Sequence, residues 1–155
     1  MNAKLTLHIG SDLGWKGLPA ARSFRNWIEL ALRGAKHRRA SEIHVLITDA
    51  RTGRQLNRDF RGKDYATNVL SFPAEWPPGM RSLLLGDLAI CAPVVVREAK
   101  EQGKALREHY AHMVIHGTLH LLGYDHIDER DATAMEALET KLLASIGIAD
   151  PYAST

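Results

Sequence analysis

The chain has 155 residues, of which 45% are hydrophobic and 25% charged, a length and balance that suit one soluble globular domain spanning residues 1–155. The formal charge of +2 neither requires nor excludes a nucleic-acid partner, so the distribution of charge matters more than its sum. A single cysteine excludes an intramolecular disulfide, and the first residues lack the apolar block of a signal peptide. No stretch is long enough to span a bilayer, so we expect a cytoplasmic protein with no membrane partner.

In the first half of the chain, predicted strands alternate with helices. Alternating apolar residues predict a strand over 4–9, and an apolar stripe at helical spacing predicts a helix over 18–34. A second alternating segment, 42–48, predicts another strand. Thr52 is the predicted cap of a short helix that ends at Gly62. Two further strands are predicted over 67–72 and 83–91.

In the second half the pattern becomes helical. Pro93 suits the first turn of a helix that ends near Gly103, and a longer helix is predicted over 104–122 with Gly123 as its C-terminal cap. Asp128 can cap a last helix that continues to about Ser145, after which residues 150–155 are expected to fray. The order favours an α+β fold, with a small mixed four-stranded sheet packed with about five helices.

Three histidines near the end of the long predicted helix form a metal-binding pattern. His116 and His120 are four residues apart, which places them within about 40° of each other on one helix face. Gly123 permits a left-handed turn, after which His126 can return to the same ion. Three imidazole ligands leave one tetrahedral position for water, the pattern of a catalytic zinc site. The same ligands would also suit nickel or copper.

Two alternatives to this interpretation stay open. His112 is one turn before His116 and could replace His126 as a ligand. The spacing of the three histidines also matches that of the metzincin proteases, but those enzymes carry a general-base glutamate where this chain has Gly117. His109 precedes the motif on the same predicted helix, whereas His8, His37 and His44 are expected to be surface or strand residues without catalytic roles.

Segments 56–64, 67–73, 85–91 and 112–126 together resemble the YbeY family of rRNA-maturation endoribonucleases. Ala66 departs from the pattern, since proline is expected before Thr67. The resemblance implies a metal site in a cleft, with His116, His120 and His126 binding one Zn²⁺ and an arginine, Arg61, needed for activity. It also implies cleavage of single-stranded RNA, maturation of the small-subunit rRNA 3′ end and ribosome quality control. The implied partners are ribosomal particles, with ribosomal-protein or GTPase partners that the sequence does not identify.

Basic residues on the short helix are compatible with an RNA substrate. Arg51, Arg54, Arg58 and Arg61 follow one another at steps of three, four and three residues, which confines them to a sector of about 80°. With Lys63 just after the helix, they could contact a phosphate backbone, although a solvated helix face would look the same.

Other side chains are candidates for supporting roles. Asn68 and Ser71 could hydrogen-bond phosphate or ribose, or could instead satisfy the ends of a strand. Asp125 or Asp87 could orient a ligand imidazole. The competing functions are a ribosome-assembly factor with a structural zinc and a metzincin-like peptidase or other hydrolase.

Overall fold

The computed structural model describes residues 4–77, 79–80, 82–124 and 128–153. These residues form four strands and five helices, here numbered in chain order. They are β1 (Leu5–Ser11), α1 (Ala21–Gly34), β2 (Ser41–Thr48), α2 (Ala50–Arg61), β3 (Val69–Pro73), β4 (Leu84–Cys91), α3 (Ala92–Gln102), α4 (Leu106–Leu121) and α5 (Glu129–Ser145).

The strands form one mixed sheet in the order β1-β2-β4-β3. The first three strands in that order are parallel to one another, and β3 pairs with β4 in the antiparallel sense at one edge. The predicted α+β class and the mixed four-stranded sheet are therefore confirmed. Since side chains alternate across a strand, the two faces of this sheet carry different residues.

The main core lies between one face of the sheet and the helices. Ile43, Val45 and Ile47 of β2 alternate onto this face and are buried. Helix α4 crosses the same face and is buried on nearly every side, with Ile115 and Leu119 fully enclosed. A helix enclosed in this way cannot rotate without repacking the core, so the side chains that it presents are held in fixed positions.

Most predicted helix ends are confirmed, with one correction. Asp49, rather than Thr52, caps α2: its carboxylate accepts a hydrogen bond of 2.8 Å from the Thr52 backbone N–H. Thr52 is the third residue of the helix, and its backbone N–H is one of the donors that a capping side chain satisfies, so Thr52 is not itself at the cap position. Gly62 ends this helix in the left-handed conformation at φ 70°, and Asp128 caps α5 through the Asp131 N–H at 2.9 Å.

The chain end also differs from its prediction. Residues 150–153 dock onto the protein rather than fray, because the Pro151 carbonyl accepts a hydrogen bond of 3.4 Å from Lys104 Nζ and the Tyr152 ring packs edge-on against His112. Residues 154–155 lie outside the described part of the chain. Among the helices that the structure describes, none combines the length and the apolar character needed to cross a bilayer.

Candidate metal centre

Helix α4 carries four histidines, and the last two of them, His116 and His120, converge. The Nε2 atoms of His116 and His120 lie 3.2 Å apart, and their rings are nearly perpendicular at 79°. Two nitrogen ligands on one tetrahedral zinc ion are about 3.3 Å apart, given Zn–N bonds of about 2.0–2.1 Å. The spacing of this pair therefore fits a shared zinc ion.

The opposite nitrogen of His116 is held by a carboxylate from α5. His116 Nδ1 lies 2.5 Å from Glu139 Oε1, and Glu139 is fully buried. A carboxylate on one ring nitrogen fixes the imidazole tautomer and leaves the other nitrogen available to bind a metal. Glu139 is thus an orienting residue for His116, a role that the sequence analysis did not assign.

His112 contacts the other oxygen of the same carboxylate. Its Nε2 lies 2.9 Å from Glu139 Oε2 and 3.2 Å from the Tyr152 hydroxyl, which itself donates a short hydrogen bond to Glu139. The ligand atoms of His112, His116 and Glu139 all lie within 4.8 Å of one another, so this group could also hold a metal ion. The 2.5 Å separation of His116 from Glu139 is, however, that of a charge-assisted hydrogen bond, and it is shorter than the spacing of two zinc ligands on different residues.

The electrostatics of Glu139 follow from these contacts. Burial alone raises the pKa of its carboxyl, because the charged form loses hydration. Hydrogen bonds from His112 and His116, the charge of His116 and the hydrogen bond from Tyr152 outweigh burial and lower the pKa to about 2. Glu139 is therefore ionised at neutral pH and places a negative charge behind the histidine pair.

The structure describes residues 122–124, which follow α4 and precede the third predicted ligand in the sequence. Gly123 adopts φ 98°, its N–H bonds to the His120 carbonyl at 3.0 Å, and the Tyr124 N–H bonds to the Leu119 carbonyl at 3.0 Å. These contacts confirm the left-handed turn predicted at Gly123. His126 itself, and the adjacent Asp125 considered as an orienting group, lie outside the described residues.

Asp87, the other acidic residue considered for that orienting role, does not contact the histidine pair of α4 but lies beside His44. It lies on β4 with its Oδ1 3.3 Å from His44 Nδ1, so it contacts a histidine of β2 and not one of α4. Strand alternation explains the difference, because Asp87 points to the face of the sheet opposite Leu88, and Leu88 is buried beneath α4.

The converging histidines open onto a cleft of about 620 Å³. The polar and aromatic residues that line this cleft include His116, His120, Arg61, Lys63, Asn68, Ser71 and Tyr124. Arg61 and Lys63 come from the end of α2 and the turn after it, where Gly62 redirects the chain. The fold therefore brings the predicted arginine and the predicted lysine to the same cavity as the histidine pair.

The other three arginines of α2 do not line the cleft among the described residues. Arg54 forms a bidentate ion pair with Asp64 at 2.8 and 2.9 Å, and Arg58 Nε lies 3.6 Å from Asp59 Oδ1. Arg51 is exposed at the start of the helix. The charge of Arg54 in particular is compensated, so the α2 surface is less basic than the spacing of its arginines suggests.

A half-buried hydrogen-bond network holds Asn68 at the wall of the cleft. The Asn68 side-chain amide donates to the two oxygens of Glu98 at 3.0 and 3.2 Å, and Glu98 is also bonded to His109 at 2.9 Å. Burial lowers the pKa of His109, although Glu98 opposes this shift. His109 thus supports Glu98, which in turn holds Asn68.

Gly117 has a packing role that bears on the peptidase alternative. A Cβ atom at this position would meet side chains of Leu88, Val69 and Ser71 at 3.0, 3.1 and 3.3 Å. The Ser71 hydroxyl also donates to the Gly117 carbonyl at 3.0 Å, which ties α4 to β3. The side chains of Leu88, Val69 and Ser71 would have to shift to admit the glutamate that a metzincin carries here, and glycine itself supplies no general base.

Comparisons with known proteins identify relatives along most of the chain. Residues 16–147 match the family described as "Endoribonuclease YbeY". Proteins named Endoribonuclease YbeY are similar over 97% of this chain and 94% of their own length, at 56% identity in Stenotrophomonas maltophilia strain R551-3 and 54% in Xanthomonas axonopodis pv. citri. The solution structure of TM1509 from Thermotoga maritima aligns with a TM-score of 0.59 at 25% identity, covering 97% of this chain and 99% of that one. The match over most of the sequence, with relatives this similar, shows that the chain belongs to the YbeY endoribonuclease family.

Proposed function

We propose that this protein is a zinc-dependent endoribonuclease that cleaves single-stranded RNA, with residues 1–155 forming one catalytic domain. The observation that carries the proposal is the convergence of the His116 and His120 Nε2 atoms, 3.2 Å apart, in a cleft also lined by Arg61 and Lys63. Imidazole ligands suit a transition metal, and guanidinium and ammonium groups suit a phosphate backbone.

His116, His120 and His126 would hold the metal, with Glu139 behind His116. Gly123 makes a left-handed turn and lines the cleft together with Tyr124, which supports His126, two residues further on, as the third ligand. His112 is the weaker candidate because its Nε2 is engaged by Glu139 and Tyr152. Bound zinc would supply Lewis-acid activation of a water and of a phosphoryl oxygen.

Arg61 would bind the non-bridging oxygens of the scissile phosphate. Its planar guanidinium can make two parallel hydrogen bonds, and these strengthen as negative charge develops in the transition state. Lys63 would contact a neighbouring phosphate as a point charge. Tyr124, also in the cleft, offers an aromatic face on which an unpaired base can stack, and this favours single strands over duplex.

Outside the cleft, Arg51, Arg54 and Arg58 would extend the contact with the phosphate backbone along α2. The Asp64 and Asp59 pairings weaken this part of the proposal, so the contribution of these arginines is expected to be smaller than that of Arg61. Replacing all three by glutamate should reduce RNA affinity and flatten its dependence on salt. An unchanged salt slope would leave α2 as a solvated face.

The biological substrate that we propose is ribosomal RNA, at the small-subunit 3′ end, in the cytoplasm. This proposal rests on the likeness of the sequence to the YbeY family, and the same likeness supports a role in ribosome quality control with ribosomal particles as partners. Relatives named Endoribonuclease YbeY support the cleavage of RNA. The cleft chemistry accounts for a phosphodiester substrate of any sequence.

The decisive experiment compares two cleft variants with a matched control. His116→Ala should lose zinc and RNA cleavage together, whereas Arg61→Glu should keep zinc and the fold but lose cleavage by about 100-fold or more. Arg38→Glu makes the same charge change at an exposed position outside the cleft and should leave activity unchanged. Each protein is loaded with zinc, its metal content is measured, and its cleavage of single-stranded and duplex RNA is compared.

Two results would contradict the proposal. If His116→Ala retained tight zinc binding in the cleft, the ligand assignment would be wrong. If Arg61→Glu cleaved RNA as fast as Arg38→Glu, the proposed role of the cleft arginine would be wrong. Cleavage that persists at the same rate in both cleft variants would indicate a contaminating ribonuclease.

A further inference from the structure

A second cluster of metal-binding side chains lies on the face of the sheet opposite α4. His8 on β1, His44 on β2 and Asp87 on β4 occupy one cross-strand row, since His8 pairs with His44 and His44 with Asp87 in the parallel register. Glu42, two residues before His44, points to the same face. Three strands therefore bring two imidazoles and two carboxylates together, although they are far apart in the sequence.

Three of these side chains converge on one point. Glu42 lies between the histidines, with Oε2 2.9 Å from His44 Nε2 and Oε1 3.8 Å from His8 Nε2. The ligand atoms of the three residues all lie within 4.8 Å of one another. The two rings are 4.8 Å apart and nearly perpendicular at 77°, an arrangement in which both can turn a nitrogen towards one ion.

Asp87 completes the cluster from behind His44. Its Oδ1 lies 3.3 Å from His44 Nδ1, while His44 Nε2 faces Glu42. This repeats the arrangement at the α4 site, where Glu139 holds one nitrogen of His116 and leaves the other for metal. A carboxylate in that position fixes the tautomer and increases the basicity of a ligating imidazole.

We propose that His8, Glu42 and His44 form a second zinc site, with Asp87 orienting His44. Two imidazoles and one carboxylate match the His₂Glu ligand set of open zinc sites, and they do not match the all-oxygen sites of calcium and magnesium. Side-chain exposures of 62% for His8, 44% for His44 and 32% for Glu42 let the ligands adjust to about 3.3 Å spacing. Solvent can fill the remaining coordination positions.

The site does not depend on the proposed function, and a double variant separates the two. His116→Ala/His120→Ala removes the cleft ligands, so zinc that remains bound reports the sheet site alone. Equilibrium dialysis against zinc, with metal content measured per chain, should give two zinc ions for the unaltered protein and one for the double variant. Adding His44→Ala to the double variant should remove that ion, whereas adding His37→Ala, a histidine outside both clusters, should not.

Asp87→Asn tests the orienting role separately. It should weaken zinc binding at the sheet site by about 10- to 100-fold, while Asp59→Asn, an exposed carboxylate on α2, should not. Nitrogen NMR of the double variant should show the Nε2 signals of His8 and His44 shifting together on addition of zinc, with no shift on addition of magnesium. The proposal is overturned if the double variant binds no zinc, or if His44→Ala and His37→Ala retain the same amount.

Discussion

Replacement of Glu139 by glutamine removes the negative charge that this residue places behind the histidine pair. The substitution keeps the size of the side chain but cannot accept charge-assisted hydrogen bonds from His112, His116 and Tyr152 at once. A pKa lowered from 4.5 to about 2 corresponds to about 3 kcal/mol of stabilisation at neutral pH, at about 1.4 kcal/mol for each tenfold change in proton affinity. We expect Glu139→Gln to lower the free energy of unfolding by up to that amount.

The pH dependence has a definite sign. Because the folded-state pKa of Glu139 is lowered, its stabilisation is fully present above about pH 4.5 and is lost as the pH falls towards 2. The difference in unfolding free energy between the unaltered protein and Glu139→Gln should therefore be largest near neutral pH and shrink as the solution is acidified. Chemical denaturation of the metal-free proteins at several pH values measures this difference.

Glu136→Gln is the matched control, since it makes the same change at an exposed position one turn earlier on α5. It should leave stability and zinc affinity within error of the unaltered protein. Zinc affinity of Glu139→Gln should fall by about 10- to 100-fold, because the His116 imidazole loses its orienting partner. If Glu139→Gln matched Glu136→Gln in both stability and zinc affinity, the orienting role of Glu139 would have to be abandoned.

Further substitutions test the surrounding structure. Tyr152→Phe should cost about 1 kcal/mol of unfolding free energy through loss of the hydrogen bond to Glu139, and denaturant unfolding that shows no change would mean that the chain end does not dock in solution. Glu98→Ala should slow RNA cleavage by releasing Asn68 while leaving the zinc content unchanged; normal cleavage kinetics would show that Asn68 needs no support. Gly117→Glu should destabilise the protein by more than about 1 kcal/mol in thermal unfolding and should show no peptidase activity on a peptide panel. A stable variant that cleaves peptides would refute the argument that close packing at Gly117 disfavours a glutamate there.

Local sequence patterns predicted the helices and strands well, because the periodicity of apolar residues and the signals at helix ends depend on residues that are close in the sequence. Gly62, Gly123 and Asp128 ended or began helices where predicted. The sequence predicted Thr52 as the cap of α2, but the cap is Asp49, three residues earlier. Aspartate and threonine are both preferred at this position, so the residue type alone did not distinguish them. Docking of the chain end was missed because it depends on Tyr152 reaching His112 and Glu139, contacts across the fold that no local pattern reports.

For the candidate site, the sequence by itself determined the pairing of His116 with His120, since a spacing of four residues on a helix fixes their relative positions before any tertiary contact forms. Glu139 could have drawn attention as a carboxylate on the buried stripe of α5 with Met135 and Leu142, but only packing of α5 against α4 assigns it to His116. Tertiary structure likewise decided the strand order, with β3 antiparallel at the edge of the sheet. It also decided the cross-strand row that brings His8, His44 and Asp87 together. Strand pairing joins segments tens of residues apart, and the free energy that selects one pairing comes from the burial of side chains on both partners, which neither segment encodes alone.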